Sequence, residues 1–126
     1  MRLLLDTHAL IWALSAPSRL PATARASIED PDNDVFVSAA STWEIAIKQA
    51  LGKIRVDVGK IIRRCDEAGF EELPVTARHS AQVVGLPFHH QDPFDRLLVA
   101  QALEEGLTVV SGDGRLSLYE VPLLWR

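Results

Sequence analysis

The chain has 126 residues, 48% of them hydrophobic and 24% charged, with a formal net charge of -4. A chain of this size buries about two-thirds of the surface its unfolded form exposes, so its core needs no disulfide or structural metal, and a second domain is excluded. The negative balance rules out holding nucleic acid by bulk electrostatics alone, and the lone Cys65, without zinc-ligand neighbours, fits a reducing cytoplasm.

Elements alternate along the chain. Leu3 to Leu5 form a short apolar strand, and Thr7 to Leu14 a helix that Pro17 stops. The interruption of the N-terminal apolar stretch by Asp6 and His8 argues against a secretory leader, and no stretch reaches the length of a membrane span. Pro21 opens a helix from Ala22 to Glu29, Asp30 to Asp34 form a turn, and Val35 to Val37 a β-branched and aromatic strand. The next helix is expected to take Ser41 as its N-cap, to bury Trp43, Ile47 and Leu51 on one face and to close at Gly52. A fourth helix spans Val58 to Ala68, followed by a short strand from Phe70 to Val75 and a helix from Thr76 to Val84. Asp92 as N-cap, Pro93 at the first position and Asp95 at the third open a helix that stops at Gly106, before the strand Leu107 to Val110.

Short, continuously apolar strands separated by helices predict an α/β fold, three layers around a short central parallel sheet. In such a fold strand C-termini and helix N-termini share one edge, where ligand sites lie. Asp6, Glu44, Asp92, Asp95 and Asp113 all fall on that edge. Singly, each has a structural explanation as a cap, a turn residue or a solvated neighbour; together they would repel unless a cation sat among them. Oxygen-only donors suit a hard ion, Mg²⁺ or Mn²⁺, and such a site suggests hydrolysis of a phosphate ester.

Four segments carry a family resemblance: Leu4 to Trp12 (LLDTHALIW), Ser41 to Lys48 (STWEIAIK), His90 to Ala102 (HQDPFDRLLVAQA) and Val110 to Asp113 (VSGD). The chain resembles the PIN-domain nucleases over essentially its whole length as one domain, 1–126, and more narrowly the VapC-type toxins of bacterial toxin-antitoxin modules. The resemblance implies a Mg²⁺- or Mn²⁺-dependent endoribonuclease of PIN-like three-layer α/β/α fold, cytoplasmic, a homodimer, cleaving RNA and neutralised by a cognate antitoxin protein. It assigns Asp6 and Asp95 as principal metal ligands, with Glu44 and Asp113 completing the acidic quartet. Asp92, Ser111 and Thr7 are implied as supporting residues.

Independently of the resemblance, Lys48, Lys53, Arg55, Lys60, Arg63 and Arg64 stand against the single acid Asp57, a local balance of +5, which reads as a candidate RNA-binding track, a solvated face of helix and loop, or a docking site for an acidic antitoxin segment. The adjacent His89 and His90 are poor joint ligands for a hard ion, His8 reads as structural more than as a phosphate contact despite its nearness to the acids, and Trp12, Trp43 and Trp125 are expected in the core. Three other readings compete. A phosphoacceptor receiver domain lacks its late lysine, since Lys60 is the last. An aspartate-nucleophile phosphatase would carry an aspartate where His8 stands. A catalytically silent PIN-like binding module is opposed by the complete quartet.

Overall fold

A computed structural model describes residues 1–126. Five strands, β1 (Arg2–Leu5), β2 (Asp34–Ser38), β3 (Glu71–Leu73), β4 (Thr108–Val110) and β5 (Leu123–Leu124), form one sheet in the order β3-β2-β1-β4-β5, and every pairing is parallel. Six helices, α1 (Thr7–Ser15), α2 (Ala22–Glu29), α3 (Ala39–Ala50), α4 (Val58–Ala68), α5 (Ala77–Val83) and α6 (Pro93–Glu105), cover it. This is the expected three-layer α/β/α architecture, and no helix is long and apolar enough to cross a membrane.

The alternation of side chains along a strand divides the core. Leu3 and Leu5 face one way with Val35, Val37 and Val110, beneath Ala9 and Leu10 of α1, Ala24 and Ile28 of α2, and Ile61 of α4. Leu4 and Val109 face the other way, against Leu98, Val99 and Ala102 of α6. Because both sheet faces are covered, the strands are apolar throughout, as their sequences suggest.

The molecule departs from the sequence-based expectations in four places. Helix α3 is capped by Ser38, whose hydroxyl accepts from the Ala40 amide at 3.0 Å, and not by Ser41, because β2 runs into the helix without a loop. Along the helix Ala40, Ser41, Glu44 and Ile45 point inward while Trp43 and Leu51 are 62% and 63% exposed. Trp43 is therefore not a core residue; its ring meets that of Phe94 edge-on at 5.5 Å. Strand β3 ends before Pro74, which has no amide to donate. The two-residue β5 is too short to register as a periodic signal, yet it pairs with Val109 and Val110 and carries Trp125 to the edge where the acids lie.

Gly112 makes that last placement possible, since a β-carbon there would lie 2.6 Å from Cε2 of Trp125. Gly112→Ala is expected to cost about 1–3 kcal/mol through displacement of the indole, read as a lowered denaturation midpoint. An unchanged midpoint would mean that Trp125 is not held there.

Candidate functional site

The strand order reverses between β1 and β4, the point at which parallel α/β sheets open a crevice. After β1 the chain turns into α1 on one face; after β4 it enters a 3₁₀ helix, Gly114–Leu118, whose Leu116 packs on the other. The two strand ends stay joined, with the Asp6 amide donating to the Val110 carbonyl at 3.1 Å. Between the diverging segments lies a cavity of about 540 Å³ lined by Asp6, Glu44, Asp92, Asp95 and Asp113, with Thr7, His8, Trp12, Lys48, Gly112, Arg115 and Trp125.

Local structure explains how each acid is held. Asp6 caps α1, accepting from the Ala9 amide at 2.8 Å, and is only 6% exposed. Burial pushes its carboxyl upward, and hydrogen bonds from Ser111 and Ala9 offset part of that. Glu44, also buried, accepts from the Thr7 hydroxyl at 2.6 Å on Oε1 and from Lys48 Nζ at 2.8 Å on Oε2. Asp113 follows β4 and receives the Arg115 guanidinium on both oxygens, 3.1 Å to Oδ1 and 2.6 Å to Oδ2. That bidentate pair holds its carboxyl down at about 2.

Asp95 is treated in the opposite way. It lies in the first turn of α6, where burial first, and then the charge of Asp92, raise its carboxyl to about 6. His90 Nε2 approaches its Oδ2 at 3.4 Å and Arg115 Nη2 at 3.6 Å. Asp92 itself caps α6 by accepting from the Phe94 and Asp95 amides at 2.9 and 3.1 Å, the capping role its position suggests.

All four acids of the expected quartet thus line one cavity, together with Asp92 and Thr7, and Ser111 stands beside Asp6. Of the basic track only Lys48 reaches it. Arg64 donates to the Leu14 carbonyl at 3.1 Å and so ties α4 to α1, while Lys60 and Arg63 lie near Asp57. Lys53 and Arg55 occupy the connection between α3 and α4. Sequence reasoning misses Arg115 as a site residue, although its place two positions after Asp113 on a strand-end loop is a usable signal. His90, a poor ligand for a hard ion, touches Asp95 instead. Trp12 and Trp125 are only partly buried, packing on the core while flanking the cavity. No three acidic, histidine or cysteine side chains converge at ligating distance around one point; Lys48 and Arg115 engage two of the carboxylates instead.

A family model described as PIN domain matches residues 3–122. Ribonuclease VapC22 of Mycobacterium tuberculosis is 32% identical over 122 residues, 94% of this chain and 92% of that protein. Among solved structures, the fold is similar to that in VapBC2 from Rickettsia felis bound to a DNA fragment from its promoter, with a TM-score of 0.74 at 16% identity over 100% of both chains. It is also similar to VapBC-1 from nontypeable Haemophilus influenzae, with a TM-score of 0.64 at 17% identity over 98% of this chain and 97% of that one.

The state of Asp95 has a measurable consequence. Its folded value of about 6 lies above the unfolded value of about 3.9, so its contribution to stability is fully present below about pH 4 and is lost as pH rises through 6. Asp95→Asn removes that loss. With the side chain 20% exposed, the metal-free variant should gain on the order of 1–2 kcal/mol over the parent at pH 7 relative to pH 4. Denaturant titrations at the two pH values check this; an equal difference at both would show that burial does not perturb Asp95.

Proposed function

The chain belongs to the PIN domain family, and from that premise we propose that it is a Mg²⁺- or Mn²⁺-dependent endoribonuclease, the toxin of a type II toxin-antitoxin module. On this reading the chain is a single PIN domain working in the cytoplasm as a homodimer and silenced by a cognate antitoxin. The observation that carries the reading is the gathering of Asp6, Glu44, Asp95 and Asp113 around one cavity at the strand-order reversal. Its relatives add support: the 32% identical protein is a ribonuclease, and the structural neighbours are VapBC assemblies.

The donor set suits a hard divalent ion. Every candidate ligand offers carboxylate oxygen, and Asp6 is buried without a cationic side chain paired to it, unlike Glu44 and Asp113. Asp6 and Asp95 would hold the ion, with Glu44 and Asp113 at its flanks. When bound, it supplies Lewis acidity toward a phosphate oxygen and lets water attack phosphorus near neutral pH.

The chain's own residues have a separate task, because a phosphodiester is an anion and five carboxylates repel it. Lys48 and Arg115 line the same cavity, and each has donors beyond those it spends on its carboxylate, so both can take the non-bridging phosphate oxygens. Thr7 fixes Glu44 so that its second oxygen stays turned toward Lys48. Outside the cavity, Lys53, Arg55, Lys60 and Arg63 are the members of the basic track left to follow an RNA backbone, as Arg64 is committed to Leu14.

Incubated with total cellular RNA and Mg²⁺ or Mn²⁺, the purified chain should release discrete fragments. A chelator should abolish them, and Asp6→Asn and Asp95→Asn should each slow cleavage by about two orders of magnitude. Full activity in both variants would overturn the assignment, and intact RNA with every substrate would favour the silent binding module. The combined change Lys60→Glu and Arg63→Glu should weaken RNA binding and flatten its log-log salt dependence by about 0.7 for each phosphate no longer neutralised. An unchanged slope would remove these residues from the track.

A further inference from the structure

Arg96 presents an unusual arrangement: a guanidinium 6% exposed, one residue after Asp95, with no carboxylate paired to it. Its Nη1 donates to the Pro87 carbonyl at 2.8 Å and to the Tyr119 hydroxyl at 3.1 Å, its Nη2 donates to the Leu86 carbonyl at 3.4 Å, and the ring of Phe88 lies 4.5 Å away. A buried arginine without an anion is costly unless its donors are used, and here they are spent on the 86–88 segment and on Tyr119. Tyr119 is also buried, and its oxygen lies 2.8 Å from Nδ1 of His90, whose side chain is 5% exposed and whose Nε2 faces Asp95.

The chemistry of these groups allows one continuous direction. A guanidinium only donates, so the Tyr119 oxygen accepts from Arg96 and its own proton is free for His90 Nδ1. A ring nitrogen that accepts at Nδ1 carries its proton on Nε2, the atom facing Asp95 Oδ2. We propose that Arg96, Tyr119 and His90 form a one-way hydrogen-bond relay whose last member donates to Asp95, making the three of them positioning residues for that carboxylate. The catalytic part of this rests on the ribonuclease reading above; the relay itself does not. Its ends bracket the site: Arg96 and Asp95 belong to the first turn of α6, while Tyr119 ends the 3₁₀ helix that Asp113 caps. The relay therefore ties two segments bearing acids to each other, as well as turning one oxygen of Asp95. This leaves the other oxygen of Asp95 free for a ligand.

The experiment is long-range ¹H–¹⁵N NMR of the histidine rings in the full metal-free chain near pH 8, comparing wild type with Tyr119→Phe, which removes only the hydroxyl. The wild type should show His90 as the Nε2–H tautomer with its Nδ1 ¹⁵N resonance moved upfield by the Tyr119 hydrogen bond, and the variant should move that resonance downfield toward the value of an unbonded ring nitrogen. On the ribonuclease reading, Tyr119→Phe and His90→Ala should lower kcat by about 10- to 100-fold with KM little changed, and His90→Gln, whose amide can still donate toward Asp95, should recover part of the loss. A wild-type Nδ1–H tautomer, or an Nδ1 resonance indifferent to Tyr119→Phe, would overturn the relay. A shifted Nδ1 resonance with undiminished kcat would overturn its positioning role. If no variant and no wild type cleaves RNA, the functional reading fails by itself, and the tautomer and the Nδ1 resonance still decide the relay.

Discussion

Five carboxylates brought to one edge of a sheet cannot all be charged, buried and unpartnered, and the arrangement of this molecule around that edge is an answer to the conflict. The acids are stabilised by several devices. Asp92 and Asp6 spend lone pairs on helix amides, Glu44 takes Thr7 and Lys48, Asp113 takes Arg115, and Asp95 is left with a long contact to His90 and a raised carboxyl. The electrostatic outcome is uneven within one cavity. Asp113 is held at about 2 and Asp95 at about 6, a spread produced by a bidentate guanidinium on one side and by burial beside Asp92 on the other. The groups least satisfied by the protein, Asp6 and Asp95, are those on which an added cation would gain most.

Much of this is legible in the sequence because it rests on local signals. The Asp-Pro-Phe-Asp start of α6 announces a cap, a proline at the first helical position and an acid in the first turn, and each does what its position suggests. Leu3 to Leu5 reads as a strand buried on both faces, and the parallel alternation that follows places Asp6, Glu44 and Asp113 on a common edge without any knowledge of side-chain packing. Topology of this kind survives errors of a residue or two at element ends.

What is not legible depends on those residue-level errors or on groups distant in sequence. Apolar spacing along α3 assigns Trp43 to the core and makes Glu44 its solvated neighbour; the structure reverses them. Bulk hydrophobicity favours Trp43, but a directly joined strand and helix leave no slack, and Ser38 at the strand end fixes the phase. Strand β5 escapes notice for a different reason, since two residues have no period. Tyr119 and His90 lie 29 residues apart, a distance over which sequence patterning carries no signal.

Arg115 shows how one residue can serve both the acids and an anion beside them. With its guanidinium on Asp113 and reaching Asp95, it supplies the positive charge that the cavity otherwise lacks on that wall. A phosphate entering beside a divalent ion would bring its own negative charge, and the guanidinium, already exposed on one side, has donors to turn toward it without leaving the loop that Asp113 begins. Lys48, paired to Glu44 one helical turn away on α3, is placed to do the same. An acidic cavity able to accept an anion therefore does not need a positive net charge. It needs two cations whose carboxylate partners are themselves part of the site, and this chain of net charge -4 has both.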